Sequence, residues 1–285
     1  SAITGLLIPP SHNMIIYAIA AGGGVSVGTL FLGGILPGFV TAALLMVAAY
    51  AVARKRGYAT TAFEGWAMIG HSFLAATPGL LMILIIVGGI RLGIFTPTEA
   101  SAIAVVYGLA IGFWVYRELG IRSFWKITSN ATRTVASVLF LIAAASAFGW
   151  VLAVSDAPAA VAEFMSSVTD NKIVALLMIN AALLILGAVM DMAPLIIIAT
   201  PIFLPIAQHF GMDPHQFGVM LIMNLGVGLI TPPVGTALFV GCAVGETKME
   251  AIMRTIWPFY LAHLGAILLV TFVPGFTLWI PELLS

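Results

Sequence analysis

The 285 residues carry 11 basic and 11 acidic side chains, no net charge, and 61% hydrophobic residues. Only 8% are charged, against about 25% in a soluble domain, too few to build a water-facing surface. Apolar runs long enough to cross a hydrocarbon core recur along the chain, which excludes a water-soluble globular protein, and the zero net charge gives no reason to expect nucleic acid as a partner.

The chain opens on an interrupted membrane segment, 1–22, broken at Pro9-Pro10. It starts at Ser1 without an initiator Met and without a signal-peptide pattern, so a natural N-terminal part is expected to be missing. A full span follows at 30–52, closed by Arg54, Lys55 and Arg56. Further spans are predicted at 73–91, 96–116 and 132–154. Thr96-Pro97-Thr98-Glu99 reads as a capping box, with Thr96 as N-cap, Pro97 at the first helical position and Glu99 reaching back. Glu99 is then either a cap alone or a group near a transport path. Trp114, Tyr116, Trp125, Trp257 and Trp279 lie near span ends, as interface anchors do.

Segment 173–208 reads as a re-entrant hairpin. Its arms, 173–190 and 195–209, are about 18 and 14 residues, or roughly 27 and 21 Å. The second is too short to span, so the tip Asp191-Met192-Ala193-Pro194 is expected near mid-membrane. An ionisable residue at that depth is a functional candidate; Asp191 could equally cap the second arm. Thr200 and Pro201 further on are expected to shape the descent. A second interrupted segment follows at 215–245, broken at Pro232-Pro233, and a last span at 256–280. The one cysteine, Cys242, can form no internal disulfide, and no metal-ligand cluster accompanies it.

Basic residues orient these segments. Arg54, Lys55 and Arg56 mark one cytoplasmic loop; Arg117, Arg122, Lys126 and Arg133 mark a second; Lys248 and Arg254 mark a third. Loop 155–171, with Asp156, Glu163 and Asp170, falls outside. Segment 1–22 then runs outward and segment 215–245 inward.

Those two oppositely directed segments are alike. At an offset of 223, Gly5, Leu6, Pro9, Pro10, Ala20 and Gly22 recur as Gly228, Leu229, Pro232, Pro233, Ala243 and Gly245. Pro37 and Pro258 recur with a two-residue shift. This is the pattern of an inverted-topology repeat, a hallmark of secondary transporters. Each Pro-Pro pair removes two consecutive N–H donors and opens the helix. The freed carbonyls survive only where protein or water surrounds them. They suit a small hard cation such as Na+, while the following half-helix points its positive end at the break and favours an anion. A proline kink made only for packing is the plainer alternative.

Gly88-Gly89-Ile90-Arg91-Leu92-Gly93-Ile94-Phe95-Thr96-Pro97-Thr98-Glu99-Ala100 resembles the GIFTPTEA motif of the large membrane subunit of TRAP (tripartite ATP-independent periplasmic) transporters. Ile8-Pro9-Pro10-Ser11 with Met14-Ile15-Ile16-Tyr17, Leu32-Gly33-Gly34-Ile35-Leu36-Pro37-Gly38, and Asn224-Leu225-Gly226 with Pro232-Pro233-Val234-Gly235 also resemble that family. The resemblance implies an all-α polytopic protein of the bacterial inner membrane, an inverted-repeat, elevator-type secondary transporter with broken helices and a re-entrant hairpin. It implies import of an organic anion, such as a C4-dicarboxylate or sialic acid, driven by Na+, with two ions expected. It implies three partners: a periplasmic substrate-binding protein, a small four-helix membrane subunit and the lipid bilayer.

Carried over, the first cation site takes carbonyls of Gly5, Ile8 and Pro10. The second takes those of Gly228, Thr231 and Pro233 with Asp191, Met192 and Ala193 at the facing tip. Ser11, His12, Asn13, Asp191 and Thr236 are the expected substrate contacts. The hairpin that should face the first break has no counterpart in this chain, so only the second site is expected to be complete. Family members for acidic sugars or dicarboxylates often carry an Arg where this chain reads Val154-Ser155-Asp156-Ala157-Pro158.

The resulting division is 1–27, first broken helix of a transport domain; 28–72, scaffold helix and cytoplasmic connection; 73–131, paired helices around the GIFTPTEA motif; 132–172, helix and periplasmic loop; 173–210, hairpin; 211–248, second broken helix; and 249–285, C-terminal scaffold helix. The chain is not expected to be an enzyme: neither Asp191 with His209 nor Ser11 with His12 has a defensible spacing. No Walker motif points to ATP use, and no repeated polar rings point to a channel. An ion channel, or a cation-coupled anion antiporter without a binding protein, is the alternative reading.

Overall fold

A computed structural model of the chain describes residues 2–58, 65–233 and 235–284. Residues 59–64 of the expected cytoplasmic connection and Val234 of the second Pro-Pro motif lie outside the described residues. Among the described residues 82% are helical and no strand occurs. The helices are α1 (Ala2–Leu7), α2 (His12–Ala20), α3 (Val27–Arg56), α4 (Trp66–Arg91), α5 (Pro97–Ala110), α6 (Ile121–Val154), α7 (Ala157–Val168), α8 (Lys172–Val189), α9 (Met192–His209), α10 (Pro214–Gly228), α11 (Thr236–Val244), α12 (Met249–Met253), α13 (Trp257–Phe272) and α14 (Gly275–Leu284). A single π turn, Ile111–Val115, extends α5. Among the described residues six helices are long and apolar enough to cross a membrane, or seven if the bent pair α13–α14 is one span. This is a polytopic helical membrane protein.

Several boundaries differ from expectation for local reasons. The last span is not one helix: α13 and α14 meet at 58°, because Pro274 pushes Val273 into extended backbone (φ −120°, ψ 90°). The predicted span at 132–154 is the end of a 34-residue helix, α6. Polar and basic residues at its start break the hydropathy but not the helix. Loop 155–171 holds a helix of its own, α7, entered through Asp156 in left-handed backbone (φ 52°). The second hairpin arm, α9, is 18 residues long, the same as α8. Pro201 and Pro205 lie inside it without ending it. Both arms therefore reach about 27 Å, and the second is not too short to span.

The chain divides into two compact units, residues 1–55 with 139–285, and residues 56–138. In the smaller unit, α4 and α5 are joined by a tight turn. Gly93 is left-handed (φ 68°), and the Phe95 ring sits where a Cβ on Gly89 would be. Thr96 N donates to Glu99 Oε2 at 2.8 Å and Glu99 N to Thr96 Oγ1 at 3.3 Å, so the capping box is formed. Tyr107 donates its hydroxyl to the Pro78 carbonyl at 2.8 Å, tying α5 to α4.

The larger unit is built round α10, buried without interruption from Gln216 to Gly228. Its entry is pinned by Asp213, whose carboxylate accepts from the backbone N–H of His215 at 2.7 Å. α8 runs parallel to α10: Lys172 Nζ donates to the Gly211 carbonyl at one end, and a Cβ on Gly187 would stand 3.2 Å from Leu225 Cα near the other. Polar side chains inside the apolar bundle are joined in sequence. Asn224 Nδ2 donates to Asn180 Oδ1 at 2.7 Å. Asn180 Nδ2 donates to Thr271 Oγ1 at 3.2 Å, and Thr271 Oγ1 to the Ile267 carbonyl at 2.8 Å. Gln216 Nε2 donates to the Val270 and Thr271 carbonyls at 2.8 and 3.1 Å. α8, α10 and α13 are thereby bonded side to side in a place where water cannot substitute.

Replacing one member strands its partner. Asn180→Leu and Asn224→Leu are each expected to cost about 1–2 kcal/mol. The double variant should cost less than their sum, because no orphan is left. Thermal unfolding midpoints of the purified full-length protein in detergent measure both.

Candidate functional site

At the first break, α1 ends at Leu7 and α2 begins at His12. The last backbone bond is from Ile8 N to the Thr4 carbonyl at 3.1 Å. The Gly5 and Leu6 carbonyls would next meet Pro9 and Pro10, which have no N–H to give. Among the described residues no donor reaches the carbonyls of Gly5, Ile8 or Pro10. The break is held close to α3: the Leu7 carbonyl occupies the space a Cβ on Gly34 would take. Pro9 is buried, Ile8 half-buried, and Gly5 and Pro10 exposed. Ser11 and Asn13 are 2% and 1% exposed, yet Ser11 Oγ and Asn13 Oδ1 have no hydrogen-bond partner. The side chain of Ser11, though at the N-cap of α2, makes no capping bond. His12 between them is exposed.

At the second break, α10 ends at Gly228 and α11 begins at Thr236. Here the freed carbonyls are partly recovered. The Leu229 carbonyl accepts from Ala237 N at 3.0 Å and Leu238 N at 3.3 Å, so the start of α11 turns back onto the break. The Gly228 carbonyl accepts from Thr231 N at 3.0 Å, and the Thr231 carbonyl from Gly235 N at 3.1 Å. Thr231 Oγ1 donates to the Val227 carbonyl at 2.8 Å. The Ile230 carbonyl accepts from the Tyr260 hydroxyl of α13 at 2.6 Å. Each of these carbonyls keeps a second lone pair. Thr231 is half-buried, while Pro233 and Thr236 are exposed. The Pro9-Pro10 and Pro232-Pro233 peptide bonds are both cis.

The α8–α9 tip lies against both breaks. Gly228 meets Gly187 of α8 backbone to backbone, with the Gly187 carbonyl in the space a Cβ on Gly228 would fill. On the other side, Asn13 Nδ2 donates to Met192 Sδ at 3.2 Å. Met192 is buried, Ala193 half-buried and Asp191 exposed. Asp191 occupies the N-cap of α9 but makes no capping bond through its side chain. The structure thus joins Asn13 to Met192 and sets Gly228 against Gly187, four residues before the Asp191 tip. Among the described residues no hydrogen bond joins His12 or Thr236 to another predicted site residue. The sequence reading left the first break without a facing hairpin; the structure sets the Asp191 tip against it as well.

Tyr260, Gly187 and the Asn180–Asn224 pair were not singled out from the sequence. The asparagines carried a signal, being amides inside apolar runs. Nothing in the sequence pairs Tyr260 with Ile230, which lie on separate elements.

Residues 1–276 match the family model described as "Tripartite ATP-independent periplasmic transporter, DctM component". The chain belongs to the TRAP transporter large-permease family. Over its full length it is 42% identical to a Salmonella typhimurium protein, "Uncharacterized protein YgiK", covering 65% of that relative. It is 39% identical across 95% of its length to "Isethionate TRAP transporter permease protein DctMQ" of Oleidesulfovibrio alaskensis, covering 42% of that protein. It is 37% identical across 99% of its length to "Sialic acid TRAP transporter large permease protein SiaM" of Vibrio cholerae, covering 66% of that protein. The chain therefore spans two-thirds or less of these relatives. A TRAP large permease is a transporter component and not an enzyme.

The Gly187–Gly228 contact leaves no room for a methyl group. Gly228→Ala is expected to displace the tip and cost about 1–3 kcal/mol by overpacking. Gly241→Ala, where nothing lies within 4 Å, should be neutral. Unfolding midpoints of the two variants, with transport assayed beside them, check this contrast.

Proposed function

We propose that this chain forms part of a secondary transporter that imports an organic acid anion together with Na+. Supporting this reading above all is the seating of one hairpin tip against two helix breaks. The tip brings Asp191, exposed and uncapped, beside a break whose carbonyls and buried hydroxyl and amide oxygens are unpartnered. Oxygen atoms without donors, next to a carboxylate, are the ligand type a hard monovalent cation takes. The first cation is assigned to the carbonyls of Gly5, Ile8 and Pro10, within reach of Ser11 and Asn13. The second is assigned to Gly228, Thr231 and Pro233 with Asp191, Met192 and Ala193.

The substrate is assigned to the space bordered by Ser11, His12, Asn13, Asp191 and Thr236. The N-terminal ends of α2 and α11 point at the breaks, and their positive ends favour negative charge there. Two of the relatives are named for isethionate and sialic acid. Both are organic anions, and a substrate of that class fits the same features here. A periplasmic binding protein delivers it, and a small four-helix subunit accompanies the permease in the membrane. The broken helices and the hairpin fall within one compact unit, as an elevator motion requires of its moving part.

The test is uptake into proteoliposomes holding the full-length permease, its small subunit and its binding protein. Accumulation is expected only with an inward Na+ gradient; accumulation that persists after the gradient is collapsed would overturn the Na+ coupling. Asp191→Asn removes one charge at constant shape and is expected to lower Na+-driven uptake by about tenfold or more, a loss of roughly 1.4 kcal/mol. Full uptake by that variant would remove Asp191 from the site.

A further inference from the structure

The second break is aimed from outside itself. Most hydrogen bonds on its carbonyls come from α10, α11 or the residues joining them. Among the described residues one comes from elsewhere: the Tyr260 hydroxyl of α13 on the Ile230 carbonyl, at 2.6 Å. The ring that carries this hydroxyl is fixed. Tyr260 is 9% exposed, and its ring packs edge-on against Trp257, centroids 5.8 Å apart at 73°. α13 is in turn fixed to α10 by the two Gln216 bonds and to α8 by Asn180 and Thr271. At 2.6 Å, this part-buried hydroxyl–carbonyl bond is at the short end of its range.

Its position decides what it controls. The Ile230 carbonyl belongs to the peptide plane that joins Ile230 to Thr231. Holding that plane sets the direction in which the chain enters Thr231, and therefore where the Thr231 carbonyl points. The same bond takes up one lone pair of the Ile230 oxygen, beside the Gly228, Thr231 and Pro233 carbonyls. The N–H end of that plane is tied by its bond from Thr231 N to the Gly228 carbonyl at 3.0 Å; among the described residues the Tyr260 hydroxyl is the one donor on its carbonyl end, so the plane is held from both sides.

We propose that Tyr260 is a positioning residue for cation binding at the Pro232-Pro233 break, orienting its carbonyls through the Ile230 carbonyl without touching the ion. This rests on the cation reading of the break given above. It also places α13 with the broken helices, as a splint along α10, where the sequence reading put 249–285 in the scaffold.

The experiment measures the Na+ concentration that half-saturates thermal stabilisation of the full-length permease complex, with choline chloride holding ionic strength constant. Tyr260→Phe keeps the ring and its packing and removes only the hydroxyl. It is expected to raise half-saturating Na+ about fivefold, the equivalent of one hydrogen bond worth about 1 kcal/mol. Uptake at saturating Na+ should stay near its original rate. Gln216→Leu removes a different tie between α10 and α13, far from the break. It should lower the unfolding midpoint without moving half-saturating Na+.

Unchanged Na+ dependence in Tyr260→Phe overturns the proposal. Equal shifts in the two variants also overturn it, since loosening of α13 then explains both. No Na+ stabilisation of the unaltered complex would instead remove the cation reading itself, and this inference with it.

Discussion

A carbonyl oxygen buried in hydrocarbon without a donor costs several kcal/mol, and each Pro-Pro pair produces such oxygens by deleting two successive N–H groups. Much of the larger unit can be understood as a response to that cost. At the second break α11 turns its first amides back onto the Leu229 carbonyl, and α13 contributes a hydroxyl to Ile230. At the first break the carbonyls of Gly5, Ile8 and Pro10 accept nothing among the described residues, and the buried oxygens of Ser11 and Asn13 add to the unmet demand. Two copies of one sequence pattern therefore end in different electrostatic conditions, one largely self-satisfied and one open.

The close packing that keeps these oxygens away from lipid depends on absent side chains. Gly34 admits the Leu7 carbonyl, and Gly228 admits the Gly187 backbone. With no hydrophobic force between helices in lipid, such contacts hold by van der Waals fit and by the amide chain of Asn224, Asn180 and Thr271. The α8–α9 tip is clamped on two sides by this packing. α9 meets the first break through Met192, and α8 meets the second through Gly187, so the two arms of one hairpin each bear on a different break.

What the sequence made legible follows the range of the forces involved. Membrane class, the two breaks and the capping box at Thr96 and Glu99 depend on composition, on missing donors and on residues three apart. All are present in the fold. Boundaries set by competition were less legible. Pro274 divides a run that hydropathy reads as one span, while Pro201 and Pro205 sit inside α9 and leave it intact. Both outcomes depend on what neighbouring helices supply to the freed backbone. The residues at the breaks were legible because proline chemistry is local. Their supports, Tyr260, Gly187 and Asn180, were not, because nothing in one strand of sequence says which helix face meets which.

The 34 residues of α6 amount to about 51 Å, against a hydrocarbon thickness of about 30 Å. The surplus belongs to its first turns. There Arg122, Lys126 and Arg133, all exposed, recur at spacings of four and seven and so share one side of the helix. Phe124, Ile127, Ala131 and Val135 lie on the opposite side and, with Val105 and Leu109 of α5, line an apolar groove of about 470 Å³. A rod with a charged edge and a greasy edge, lying where a membrane meets water, has one preferred immersion depth. The smaller unit thus carries its own waterline, set by two faces of a single helix.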